Sequence, residues 1–125
     1  MDLRVYAITD SHQECRKLAS LLSQITITEK EKNEPFVLID CGDIFKGIYD
    51  KDLCVETYLK FKKLNPKAEV VLTIGNNDFG FEKKDFEYYI ETVEKFKKAG
   101  INVICSNLKE LGSGNYSNIF KRCNR

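Results

Sequence analysis

Net charge, histidine, paired cysteines and long apolar runs are all scarce in this sequence, and each scarcity removes a class of function. Twenty basic residues against nineteen acidic ones leave a formal net charge of +1, so there is no overall pull toward nucleic acid or an anionic membrane. The local basic stretches Lys60-Phe61-Lys62-Lys63 and Lys95-Phe96-Lys97-Lys98 read as solvated helix faces, because apolar residues occupy the opposite side. Five cysteines stand at 15, 41, 54, 105 and 123, an odd number at wide spacings with no C-x-x-C pair. That pattern argues against a disulfide framework or a zinc knuckle and fits reduced thiols in the cytosol. No run approaches the roughly 18 continuous apolar residues that span a bilayer. Met1-Asp2-Leu3-Arg4 leads straight into a strand-like segment, without the charged and apolar regions of a secretion signal. A cytoplasmic location is the expectation.

What is present is ordinary for a folded domain. The 125 residues are 42% apolar and 31% charged, enough for one hydrophobic core. Four apolar runs read as strands: Leu3–Thr9, Phe36–Ile39, Val70–Ile74 and Ile101–Cys105. The second and third are almost continuously apolar, the pattern of strands covered on both faces. Helical spacing lies between them. Leu18, Leu21, Leu22 and Ile25 recur in the first stretch, and Cys54, Tyr58 and Phe61 form a stripe in the second, around residues 51 to 64. Phe86, Tyr89, Ile90, Val93 and Phe96 form the apolar face of the third, and Gly100 follows as its C-cap. Lys30–Glu34 is a charged turn, with Pro35 entering the next strand. The order β-α-β-α-β-α-β predicts an α/β fold with a parallel sheet and helical crossovers. Residues 1–111 read as one unit, and 112–125 as an irregular tail.

The informative positions are those just after each strand. Thr9-Asp10-Ser11-His12 follows the first, Asp40-Cys41-Gly42-Asp43 the second, Gly75-Asn76-Asn77-Asp78 the third, and Ser106-Asn107 the fourth. In a parallel sheet these ends share one edge, where such folds place ligand sites. Carboxylate, imidazole and amide oxygen together suit Mn, Fe or Zn, or Mg where oxygen dominates. Asp43 beside Gly42 can present its carboxylate from a tight loop, and a carboxylate there could bridge two ions. An isolated D-x-H is common by chance, and Gly-Asp or Asn-Asn after a strand is usually a turn. All three in order, each directly after a strand, point to a site. Glu14, Asp40 and Asp85 have no comparable placement and read as turn or helix-start residues.

These blocks resemble the calcineurin-like metallophosphoesterases, whose signature runs D-x-H, G-D, G-N-H-[DE], and then GH and G-H-x-H. Asp10-Ser11-His12, Gly42-Asp43 and Gly75-Asn76-Asn77-Asp78 correspond to the first three. Gly42-Asp43-Ile44-Phe45-Lys46-Gly47, Gly75-Asn76-Asn77-Asp78-Phe79-Gly80-Phe81 and Cys105-Ser106-Asn107-Leu108 are similar to the 5′-nucleotidase branch of that family. The resemblance implies that Asp10 and His12 ligate a first divalent metal, that Asp43 bridges two, and that Asn76 ligates the second. It implies in-line attack on phosphorus by water activated at the metals, with a phosphate ester, such as a nucleotide, as substrate. It implies, finally, one half of a four-layer αββα sandwich, whose C-terminal half is missing.

Two departures from the family pattern bear on activity. Position 77 is Asn where the family has the His that assists the leaving group, with Asp78 beside it as a supporting residue. Asn donates a hydrogen bond but transfers no proton, and loss of a general acid costs on the order of 10²–10⁴-fold in rate. His12 is the only histidine, so the GH and G-H-x-H blocks are absent and the second metal keeps only Asp43 and Asn76. Water could complete a weak magnesium-like shell there. An orphan half-sheet would leave an apolar face uncovered, so a truncated gene product, or a second chain completing the domain, is the expectation. The alternative is a non-catalytic module that pairs with another chain, or binds metal or phosphate without turnover. A receiver-like nucleotide domain is disfavoured, since no glycine-rich phosphate loop follows the first strand.

Overall fold

The alternation of apolar runs and amphipathic stretches is realised as seven elements. The computed structural model describes residues 2–9, 14–44, 51–75, 78 and 83–105. In chain order these contain β1 (Val5–Ile8), α1 (Cys15–Lys30), β2 (Phe36–Asp40), α2 (Lys51–Leu64), β3 (Ala68–Thr73), α3 (Lys83–Lys98) and β4 (Asn102–Ile104). The strands form one sheet in the order β1-β2-β3-β4, every pair parallel. The β-α-β-α-β-α-β order predicted above is therefore the observed one, and it is what one half of a metallophosphoesterase sandwich would contain. The predicted tail, 112–125, lies outside the described residues.

Strand ends shift by one or two residues, for reasons visible in the pairing. β1 is an edge strand whose ladder begins at Val5 opposite Val37, so Leu3 stays outside it and exposed. β3 begins at Ala68 rather than Val70 because Ala68 pairs with Phe36. β4 shortens to three residues, opposite Val71, Leu72 and Thr73.

All three helices lie on one face of the sheet. Consecutive parallel neighbours joined by right-handed crossovers place every helix on the same side, and burial agrees. Phe36, Leu38, Asp40, Ala68, Val70, Leu72 and Val103 are buried together with Leu18, Leu22 and Ile25 of α1, Cys54, Tyr58 and Phe61 of α2, and Tyr89, Val93 and Phe96 of α3. Edge-on ring contacts join neighbouring strands (Tyr6 with Phe36), sheet to helix (Phe36 with Phe61) and neighbouring helices (Tyr58 with Phe96). The alternate residues Val37, Ile39, Val71 and Ile104 are only half-buried, and no element of the described residues lies over them. Coverage on both faces, expected from the apolar runs, is thus seen on one. Leu21 and Phe86 also leave their predicted stripes: both are exposed, being turned away from the sheet-facing rows.

Helix ends follow the sequence signals. Gly100 has φ +82° and donates to Lys97 O at 3.0 Å, while Ile101 donates to Phe96 O at 2.9 Å. This is a Schellman ending, with buried Phe96 and Ile101 as its apolar pair. The α1 end turns at Asn33, whose left-handed φ of 48° suits an Asn.

Near the other end of the sheet, Glu29 extends the buried stripe of α1 with a charge. It is 3% exposed, and isolated burial of a carboxylate is strongly unfavourable. Arg4 offsets this with a two-pronged contact, Nε to Oε1 at 2.8 Å and a terminal nitrogen to Oε2 at 2.7 Å. Tyr6 Oη donates to Oε1 at 2.6 Å, and Arg4 also reaches Glu34 at 3.1 Å. The guanidinium hydrogen bonds, outweighing desolvation, hold the Glu29 carboxyl down at about 2. The same bonds raise Arg4, and Tyr6 is raised by its own hydrogen bond to Glu29. Buried and bidentate, this cluster fastens β1 to α1 more firmly than an exposed pair could.

Candidate metal centre

Parallel pairing places Ile8, Asp40, Thr73 and Ile104, the last residues of the four strands, along one edge. Of the six predicted site residues, Asp43 and Asp78 fall in the described part of that edge. Asp10, His12, Asn76 and Asn77 lie outside the described residues.

The loops after β2 and β3 are pressed together, backbone against backbone. Gly42 has φ +101°, and a methyl group built on it would overlap Gly75 N and lie 2.9 Å from Gly75 Cα and from the Ile74 carbonyl carbon. A methyl on Gly75 would overlap Asp43 and lie 2.7 Å from its Cγ. Only residues without a side chain permit this approach. It leaves Asp43 with φ +60°, a left-handed conformation uncommon outside glycine though tolerated by Asp. Such outliers persist where the surroundings over-determine them, and they cluster at functional sites.

Two buried carboxylates supply that over-determination. Asp78, 5% exposed, accepts at Oδ2 from the Asp43 N–H at 3.0 Å and from the Gly75 N–H at 2.8 Å. Its own N–H donates to Gly75 O at 3.3 Å. One oxygen thus joins both loops, so Asp78 acts as a clip with that oxygen already engaged by amides. Asp40 sits beneath, fully buried at the end of β2. Its Oδ1 accepts from the Gly42 N–H at 3.0 Å, and its Oδ2 accepts from Tyr58 Oη of α2.

Burial, then the Asp40 charge, pushes the Tyr58 hydroxyl well up, so it stays a donor. Tyr89, also buried, is raised by burial and then by Asp78.

The reading of Asp40 as a turn residue holds for its Oδ1, which caps the turn at Gly42, but it missed that the residue also belongs to the core. Strand alternation puts it on the same face as Phe36 and Leu38, in the core, and a buried carboxylate requires partners. The signal lay in the sequence: Asp40 is in phase with two buried apolar residues, and Tyr58 lies on the buried stripe of α2. Glu14 and Asp85 behave as expected, Glu14 at the N-cap of α1 and Asp85 in the first turn of α3. Cys15, Cys41, Cys54 and Cys105 are thiols, and Cys123 lies outside the described residues.

Asp43 suits a divalent cation by chemistry: a half-buried carboxylate at a strand end is a hard oxygen donor for Mg or Mn, and for Zn or Fe when imidazole joins it. Among the described residues, no group of three or more His, Cys, Asp and Glu could hold an ion, so Asp43 is what this part contributes. No helix among the described residues is long and apolar enough to cross a membrane. A protein-family model described as "Calcineurin-like phosphoesterase" matches residues 3–122. Comparison with curated proteins and with solved structures gave no match.

Proposed function

Since the chain belongs to the calcineurin-like phosphoesterase family, we propose that it is a metal-dependent hydrolase of phosphoric esters, of the 5′-nucleotidase type. Asp10 and His12 would hold a first divalent ion, Asp43 would bridge to a second, and Asn76 would hold the second, with Mn, Fe, Zn or Mg as the candidates. A metal pair, when bound, activates water and neutralises phosphate charge. The observation that carries this reading is the left-handed Asp43 at the junction of two glycine loops, its N–H held by Asp78 and that of Gly42 before it by Asp40. A plain turn has no need of so constrained a backbone.

The chain's own residues divide the remaining work. Asp78 holds the backbone at Asp43 and at Gly75 together, so it would keep the Asp43 ligand in place. Asn77 stands where the family has a histidine, and its amide can donate to a phosphate or leaving-group oxygen but hands over no proton. Turnover is therefore expected to favour esters whose leaving group needs none. The nucleotide preference rests on the Gly42–Gly47, Gly75–Phe81 and Cys105–Leu108 blocks.

The test is hydrolysis of p-nitrophenyl phosphate and of nucleoside 5′-monophosphates with Mn²⁺, Mg²⁺ or Zn²⁺ supplied. Asp43→Asn is expected to abolish metal-dependent activity with the fold retained, and activity surviving that change would reject the assignment. Asn77, which transfers no proton, favours a second reading, a non-catalytic module that pairs with another chain or binds metal or phosphate without turnover. Metal binding in a titration without hydrolysis of either ester class would select it.

A further inference from the structure

We propose that Tyr58 and Asp40 form a positioning device for Asp43, setting metal affinity from the helix layer beneath the sheet edge. The proposal rests on the metal reading above. Asp40 is one of the few charged side chains buried among the described residues, and it touches no surface. Two of its interactions run in opposite directions. Oδ2 is anchored to Tyr58 Oη, on a helix packed through Cys54, Val55, Tyr58 and Phe61 into the core. Oδ1 holds the N–H of Gly42 at 3.0 Å, the residue before Asp43.

A buried charge with no further task would be a poor choice here, since an apolar residue of similar volume is often as stable or more so. What a carboxylate adds is direction. It fixes the plane of the peptide that enters Gly42, and Gly42 cannot move without striking Gly75. The Asp43 backbone is then held from below by Asp40 and from the side by Asp78. Tyr58 lies fifteen residues beyond Asp43 in sequence and on another element, so it acts through Asp40 and is a positioning residue, not a catalytic one. Partners of this kind behind a ligand typically change metal affinity by about 10–100-fold when removed.

The experiment compares wild type, Tyr58→Phe and Phe61→Leu, the last a core change on the same helix that leaves Asp40 alone. Mn²⁺ affinity is read by calorimetric titration, and the Gly42, Asp43 and Gly75 amides by ¹H–¹⁵N NMR without metal. Tyr58→Phe is expected to shift those three amides and weaken Mn²⁺ binding roughly tenfold, while Phe61→Leu lowers stability with Mn²⁺ affinity unchanged. Shifted amides with unaltered Mn²⁺ affinity would overturn the positioning role and leave the metal reading standing. Equal loss of affinity in Phe61→Leu would overturn it too, since any loosening of the core would then suffice. Failure of the wild type itself to bind Mn²⁺ would overturn the metal reading, and the proposal with it.

Discussion

Replacing Gly42 with alanine puts the packing of the two site loops to a direct thermodynamic test. At φ +101° a side chain is strained, and the added methyl would strike Gly75 N, Gly75 Cα and the Ile74 carbonyl carbon. Those are backbone atoms of the loop leaving β3, so no side-chain rotation relieves the overlap. Backbone strain costs about 1–3 kcal/mol and forced overpacking about 1–3 kcal/mol more, against about 0.4–1 kcal/mol gained by stiffening the unfolded chain. The net is a loss of about 1–5 kcal/mol, centred on ~3 kcal/mol. Gly100→Ala is the control: it also has positive φ, but its methyl would meet only Lys62 Cε at 3.4 Å, the end of a flexible side chain. It should cost about 1–2 kcal/mol, the left-handed strain alone. Urea unfolding followed by circular dichroism separates them. With a slope of about 1–3 kcal/mol/M, Gly42→Ala should lower the midpoint by roughly 1–2 M and Gly100→Ala by well under that. Equal shifts for the two variants would refute the claim that the loops meet backbone to backbone.

Two further outcomes follow from the buried carboxylates. Asp78→Ala removes the acceptor of the Asp43 and Gly75 amides and should cost about 2–4 kcal/mol, with Asp78→Asn costing less because an amide oxygen can still accept; equal urea midpoints for Ala and wild type would count against the clip. The Glu29 carboxyl is lowered from an ordinary 4.5 to about 2, so its contribution is complete above 4.5 and fades as pH falls toward 2. Glu29→Gln should flatten the fall of the urea midpoint across that window, and an undiminished pH dependence in the variant would place the acid sensitivity elsewhere.

The fold was legible because its two periodicities do not overlap. Phe36-Val37-Leu38-Ile39 is too short and too β-branched for a helix, whereas the stretch from Phe86 to Phe96 repeats at three and four residues with Lys and Glu between. The parallel sheet then followed from alternation alone, and Gly100 announced its helix end through the one conformation glycine favours. What the runs did not carry was which strand face is covered. Val37 and Ile39 are as apolar as Leu38, yet only Leu38 is fully buried, because the face is chosen by the side on which every crossover passes. Periodicity along one strand holds no information about that choice.

The candidate site divides along a different line. The place of Asp43 was legible because a position just after a strand, next to a glycine, shows in one dimension. Asp40 was not, because its role depends on a tyrosine eighteen positions away on the neighbouring layer. A carboxylate just before a glycine loop looks the same in sequence whether it caps a turn or lies in the core. The distinguishing observation is phase: Asp40 shares the parity of Phe36 and Leu38, and a charge in that phase either has a buried donor or destabilises the strand. Asp78 differs again, for its adjacency to the third motif was visible, while its hold on both Asp43 and Gly75 needed the two loops in contact. The residues that would meet a metal are thus written along the edge, and those that aim them are written in pairs across elements. A variant at Tyr58 reaches Asp43 only if that division is real.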